Sequence, residues 1–80
     1  MRTTLVHSCA GELLAEASTG RTEASAGAVL RARQAERLVD YYFARGGRDV
    51  LLGAGEDARR GRIVSTRWRP DGRLWFFEAA

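Results

Sequence analysis

The sequence predicts an α+β domain, in which a small antiparallel sheet is covered on one face by one long helix. Three observations favour this class. Residues 3–9 are rich in β-branched types, residues 24–45 repeat small and aromatic residues at helical spacing, and residues 62–78 form two strand-like runs around a Pro-Asp-Gly turn. A chain of 80 residues is long enough for one domain and too short for two, so residues 1–80 are taken as a single domain.

The first predicted element is a β-hairpin. Residues 3–9 (Thr-Thr-Leu-Val-His-Ser-Cys) form its first strand and Ala10-Gly11 its turn. Residues 12–18 then alternate in a way that suits a second strand. The same stretch, Gly-Glu-Leu-Leu-Ala-Glu-Ala, would also form a short helix, and periodicity does not decide between the two in so short a segment.

The long helix is predicted at about Ala24 to Arg45, where Gly46-Gly47 supplies a terminus that tolerates positive φ. At about 100° per residue, one stripe of small and aromatic side chains faces the sheet. Its members are Ala28, Ala32, Ala35, Val39, Tyr42 and Phe43. The opposite face consists of Leu30, Gln34, Arg37 and Tyr41. Leu30 and Tyr41 would be exposed in a monomer, either as ordinary isolated apolar residues or as a homodimer contact.

The C-terminal hairpin follows a short edge strand at Val50-Leu51-Leu52 and spans Arg62 to Glu78. If Arg69 and Arg73 close the turn, Trp68 opposes Leu74 and Arg67 opposes Trp75. The face towards the helix then carries Val64, Thr66, Trp68, Leu74 and Phe76. The uncovered face carries Ile63, Ser65, Arg67, Arg69, Arg73, Trp75 and Phe77. A register shift of one residue would exchange the two sets.

Positive charge is concentrated near this hairpin. All thirteen basic residues are arginines, and Arg59 to Arg73 contains six of them against one acid, a local charge of +5 in a chain of net +3. Such a field favours an acidic protein surface or a phosphate backbone. The predicted binding residues are Arg59, Arg60, Arg62, Arg67, Arg69, Arg73 and Trp75. The alternative is that Trp75 and Phe77 pack in a core or dimer interface and the arginines only solubilise its rim.

No catalytic, metal or cofactor site is predicted. His7 and Cys9 would share one face of a strand, but neighbours of this kind rarely form a thiol–imidazole pair, and no orienting acid is evident. One Cys and one His are too few ligands for a structural zinc site. Residues 53–58 resemble part of a dinucleotide fingerprint, but an arginine cluster and a hairpin follow where that fingerprint needs a helix. We therefore expect no enzyme.

The sequence also predicts a cytoplasmic protein without a membrane partner. No apolar run approaches the roughly 18 residues of a membrane span. His7 and Ser8 interrupt the only apolar residues near the start, which excludes a secretory signal there. A lone Cys9 cannot form an intramolecular disulfide, which suits a reducing compartment.

The length, the helix beside short hairpins and the terminal hairpin with Gly72-Arg73-Leu74-Trp75 resemble the layout of small anti-CRISPR proteins encoded by phages and mobile elements. The resemblance implies a non-enzymatic inhibitor that binds a bacterial protein complex, such as a type I CRISPR effector, and blocks target DNA recognition or nuclease recruitment. It implies no particular binding residue. The competing expectation is a small arginine-rich regulator that binds nucleic acid directly.

Overall fold

The protein is a closed antiparallel β-barrel of six strands, in the order β1-β2-β3-β6-β5-β4. The computed structural model describes residues 3–24, 27–33 and 35–79, with the side chains at positions 19–24, 27, 28 and 57 left aside. The strands are β1 Thr3–Ser8, β2 Leu13–Ala24, β3 Gly27–Ala32, β4 Asp49–Leu52, β5 Arg59–Arg67 and β6 Arg73–Ala79. The predicted α+β class is therefore wrong, because strands curl into a barrel where a sheet covered by a long helix was expected.

Two three-stranded units make up the barrel. The units β1–β2–β3 and β4–β5–β6 each run antiparallel, and the pairs β1–β4 and β3–β6 join them into a ring. The predicted first hairpin is confirmed, and residues 12–18 lie mostly in strand β2. The predicted edge strand at residues 50–52 is also a strand, but β4 pairs on both sides, with β1 and β5. Closure removes the edges of the sheet, and with them the uncovered face expected from an open sheet.

Strand β3 replaces the first half of the predicted helix. Leu30 and Ala32 are buried, whereas Arg31 and Arg33 are exposed, so this segment alternates with the period of a strand. Alanine and arginine favour helices, but propensity is a weak preference that tertiary pairing overrides. Strand β3 forms backbone hydrogen bonds along both of its edges, with β2 on one side and with β6 on the other. Gln34, placed on the opposite helix face by the prediction, lies outside the described residues.

The helix that remains is short and leads from β3 to β4. Helix α1 covers Glu36–Val39 and continues as a π-helical turn over Asp40–Ala44, ending near the predicted Gly46-Gly47 terminus. Gly46 has a φ of 67°, as a helix-ending glycine requires. Leu38, fully buried, anchors this segment on the barrel. No helix within the described ranges has the length and apolar character needed to cross a bilayer.

The terminal hairpin forms, but its register differs from the prediction by one residue. Thr66 opposes Trp75 and Arg67 opposes Leu74, and a bulge follows between Ile63 and Ser65. The Gly72 N–H donates to the Arg69 carbonyl at 3.2 Å, so the predicted Pro-Asp-Gly turn is confirmed. The shift turns the Trp75 and Phe77 side of β6 into the core, and Ile63, beside the bulge, is buried with them, while Val64 and Trp68 are exposed.

The barrel interior is the hydrophobic core. It is filled by side chains from all six strands and the helix: Val6, Leu14, Ala15, Ala17, Leu30, Ala32, Ala35, Leu38, Val50, Ile63, Trp75 and Phe77. Trp75 is the largest fully buried side chain. The many alanines leave room for this one indole near the centre of a barrel whose small size allows few large residues.

Tyr41 ties the end of the helical segment to β4. Its hydroxyl donates to the Asp49 carbonyl at 2.7 Å, and its ring lies so close to Gly47 that a Cβ there would overlap the ring. Burial raises the pKa of the Tyr41 phenol above its ordinary value of 10.0, and the negative charges of Cys9, Asp49 and Glu12 raise it further, against a lowering by Arg45.

This raised pKa predicts a loss of stability in alkali. As the pH rises above 10.0, the unfolded chain loses the Tyr41 proton first, so the free energy of unfolding falls until the folded phenol also ionises. We expect Tyr41→Phe to cost about 1 kcal/mol at neutral pH, through the lost hydrogen bond, and to reduce the alkaline decline. Urea unfolding from about pH 8 to pH 11 measures both effects. Parallel declines in the two proteins would contradict the prediction. The absence of lysine removes side-chain ammonium groups from the titrations in this pH range.

Candidate partner-binding groove

The predicted binding residues divide into two groups at opposite ends of β5. Arg59, Arg60 and Arg62 lie at its start, whereas Arg67 ends it and Arg69 lies in the turn beyond. Eight residue steps at about 3.3 Å each separate Arg59 from Arg67 by up to about 26 Å. Arg62 is also engaged, since its Nε lies 3.4 Å from an Asp49 carboxylate oxygen. The structure therefore does not bring all the predicted arginines onto one surface.

Trp75 does not belong to any surface. It is 0% exposed, so its predicted place beside Arg67 on an accessible face is wrong. The residues proposed for self-association fare similarly: Leu30 is 2% and Phe77 3% exposed, and Tyr41 is half-buried. The one-residue register shift accounts for Trp75 and Phe77, and the replacement of helix by β3 accounts for Leu30. Homodimerisation remains a prediction, but two of its three proposed contact residues, Leu30 and Phe77, are buried in the core.

An open groove of about 570 Å³ lies between the helical segment and the β5–β6 turn. We call its two sides the helix wall, formed by Glu36, Val39, Asp40, Phe43 and Ala44, and the turn wall, formed by Trp68, Arg69, Pro70, Gly72 and Arg73. The end of β3 and the residues after it, Ala32, Arg33 and Ala35, complete the lining. Two of the predicted residues, Arg69 and Arg73, therefore line one groove.

Both walls expose a large aromatic side chain. Trp68 is 65% exposed and Phe43 is 59% exposed. Isolated exposed apolar residues are common, but two aromatic rings on facing walls of one groove form a combination enriched at binding sites. Trp68 was predicted to pack against the helix, and Phe43 was predicted to lie on the helix stripe that faces the sheet. Both predictions were wrong, because both side chains are exposed. The available signal for Trp68 was its position between Arg67 and Arg69 at the start of a turn.

The turn wall is held in place by contacts with β3. Gly72 has a φ of 138°, and a Cβ there would lie 3.1 Å from the Ala32 carbonyl oxygen, so only glycine lets the turn approach this closely. The Asp71 carboxylate accepts a hydrogen bond from Arg31 at 2.6 Å. These two contacts fix the position of Trp68 and Arg69 relative to the barrel.

The helix wall is connected to the core through aromatic rings. Phe43 meets Tyr42 edge-on, with ring centroids 4.9 Å apart, and Tyr42 meets Trp75 in the same way at 5.8 Å. Three consecutive aromatic residues lie in the π-helical turn, and their rings contact different parts of the protein. Turns of this kind are often found at functional sites. The Arg73 guanidinium lies 5.6 Å from the Phe43 ring centroid and so links the two walls at one end.

Among the described residues, the charged side chains that line the groove form no ion pair with one another, although Arg73 lies over the Phe43 ring. Three arginines of the described residues pair with acids elsewhere: Arg31 with Asp71, Arg45 with Glu12 and Arg62 with Asp49. Among the side chains that the structure describes, no ion pair is recorded for Arg33, Arg69 or Arg73, nor for the helix-wall acids Glu36 and Asp40. The groove therefore offers both kinds of charge to a ligand.

Exposed aromatic rings and charged side chains line the groove, as is typical of a binding surface. Within the described part of the chain, no group of three or more His, Cys, Asp or Glu is placed to hold a metal ion. No family model matches this chain, and no curated protein or solved structure matches it either. The geometry of the groove is therefore the observation from which a function is inferred.

Proposed function

We propose that the chain acts without catalysis, by binding a protein partner in the groove between its helix wall and its turn wall. One observation carries this proposal: Phe43 and Trp68 are exposed on facing walls, beside the arginines Arg33, Arg69 and Arg73. Tryptophan and arginine are the residue types most enriched among those that dominate binding energy at protein interfaces. A preformed groove also lowers the entropic cost of association.

We take the partner to be a bacterial protein complex, whose acidic groups would contact the arginines of the groove. Planar guanidinium groups bind carboxylates through two parallel hydrogen bonds, and three groove arginines have no ion-pair partner among the described residues. Of the features that resemble anti-CRISPR proteins, the predicted long helix is absent from the part of the chain that the structure describes, but the chain length and the terminal hairpin remain. On these two features we nominate a type I CRISPR effector complex as the first partner to test. Occupation of its acidic surface would inhibit by blocking DNA recognition or nuclease recruitment.

The test compares groove variants with variants at the far end of β5. We expect Trp68→Ala to weaken partner binding by about 2 kcal/mol, a loss of roughly thirtyfold in affinity, because it removes a large exposed contact side chain. Arg69→Glu is expected to weaken binding further through repulsion. Arg60→Glu carries the same charge change up to about 30 Å away along the hairpin and is the matched control. Binding to purified effector complex is measured by calorimetry after nuclease treatment.

Equal losses with Arg69→Glu and Arg60→Glu would contradict the proposal, because only long-range charge would then matter. Unchanged affinity in Trp68→Ala would remove the groove from the interface. Failure of the wild-type protein to bind the effector would reject that partner, and the peptide measurements below would still test the groove.

Direct binding of single-stranded nucleic acid is the second candidate function. The specific observation in its favour is Trp68, an exposed indole between the exposed Arg67 and Arg69, since bases stack on aromatic rings beside basic groups. Salt separates the two candidates. Phosphate neutralisation makes log K fall with log salt concentration by about 0.7 per contact on a single strand.

A further inference from the structure

Resting on the proposed function, we infer that the groove takes a short extended segment of its partner with an apolar side chain between Phe43 and Trp68. The segment presents acidic side chains to the turn wall and basic side chains to the helix wall. The ligand is therefore a peptide with charges of opposite sign on its two edges, which differs from a uniformly acidic strand.

The charge distribution across the groove supports this polarity. The turn wall carries Arg69 and Arg73, and the helix wall carries Glu36 and Asp40, one helical turn apart. All four lack ion pairs among the side chains described, and no ion pair joins the two walls. The walls thus hold opposite charges apart, and the electric field between them favours a ligand with matching polarity.

An extended peptide has the geometry that this field requires. Side chains of a β-strand alternate between opposite sides, so an alternating acidic and basic sequence directs one sign to each wall. The helix wall from Glu36 to Ala44 is about 12 Å long at 1.5 Å per residue. About four extended residues span that length at roughly 3.3 Å each. A groove of about 570 Å³ has the volume typical of ligand sites.

The same two acids argue against a nucleic-acid strand in the groove. A phosphate backbone is uniformly negative, so Glu36 and Asp40 would repel it from the helix wall. A wholly acidic peptide would meet the same repulsion. Neutralising the two acids should therefore have opposite effects on the two kinds of ligand, which makes the inference directly testable.

The probes are two capped synthetic peptides of equal length with a central leucine. One alternates Asp and Lys around the leucine, and the other carries Asp at every charged position. Trp68 reports binding, because covering an exposed indole shifts its fluorescence to shorter wavelength, and Trp68→Phe identifies its share of the signal. In wild-type protein, we expect the alternating peptide to bind more tightly.

The decisive variant is Glu36→Gln with Asp40→Asn, which removes both charges and keeps the side-chain shapes. We expect it to weaken the alternating peptide by about two- to fivefold, the size of an exposed ion pair, and to strengthen the acidic peptide. Glu16→Gln with Glu56→Gln is the control, because these exposed acids lie outside the groove and the change in net charge is identical.

Each outcome decides the matter. A fall in the preference for the alternating peptide in the groove variant alone supports the inference, and an unchanged preference overturns it. Tighter binding of the acidic peptide by wild-type protein overturns the inference and leaves the proposed function intact. A Trp68 signal that neither peptide changes overturns both, and so does an equal fall in the control variant.

Discussion

Replacement of Trp75 by alanine is expected to cause the largest loss of stability of any single substitution considered for this protein. Trp75 is fully buried, opposes Leu30 on one side and Thr66 on the other, and packs edge-on against Tyr42. Truncation of a buried Trp costs about 3–5 kcal/mol. A domain of this length has a free energy of unfolding of about 4–12 kcal/mol, so the loss takes between about a quarter and all of it. Urea unfolding followed by circular dichroism gives the measurement.

Trp68→Ala is the matched control, since it removes the same side chain from an exposed position. We expect its free energy of unfolding to stay within about 0.5 kcal/mol of wild type. Trp75→Phe is a third variant, which keeps a ring in the core and removes an indole N–H that has no hydrogen-bond partner among the described atoms. It should cost less than Trp75→Ala. Equal stability losses at positions 68 and 75 would refute the burial assignment.

Leu38→Ala is expected to release the helix wall from the barrel. Leu38 is fully buried and anchors the segment that carries Glu36, Asp40 and Phe43. Truncation of a buried Leu costs about 2–5 kcal/mol. Because Leu38 is the one buried side chain of the described residues 36–44, we expect local opening of this segment before the strands open. Hydrogen exchange should show the largest loss of amide protection in this segment, together with weaker binding of the partner.

Arg37→Ala provides the control for Leu38. The neighbouring Arg37 is exposed, and its truncation should change the free energy of unfolding by less than about 0.5 kcal/mol. A Leu38→Ala protein that kept full protection over residues 36–44 and bound the partner normally would contradict the assigned anchor role.

In the C-terminal hairpin, the sequence predicted the strands and the turn but not the register. The strands and the turn followed from Pro70-Asp71-Gly72, because these residue types have defined backbone preferences. The register did not follow. Two neighbouring registers satisfy the turn almost equally, and the choice depends on which aromatic residues the rest of the barrel can bury. That choice moved Trp75 inside and Trp68 outside, and so changed the candidate site.

The helix predicted over residues 27–32 was wrong for a related reason. The alanines and arginines of this segment suit a helix, but Leu30 and Ala32 alternate with Arg31 and Arg33, which equally suits a strand. Local preference could not decide between these readings. The decision came from Leu30 opposite Trp75, a contact between residues that lie 45 positions apart.

The sequence by itself determined the first hairpin, the Pro-Asp-Gly turn, the glycine end of the helix and the concentration of arginine near the C-terminus. Each depends on the preferences or charges of residues close together in the chain. Only the tertiary structure decided barrel closure, the hairpin register and the groove between Phe43 and Trp68. These depend on which distant strands pair, and burial of one large indole in a small barrel stabilises one pairing over alternatives that the local sequence favours equally.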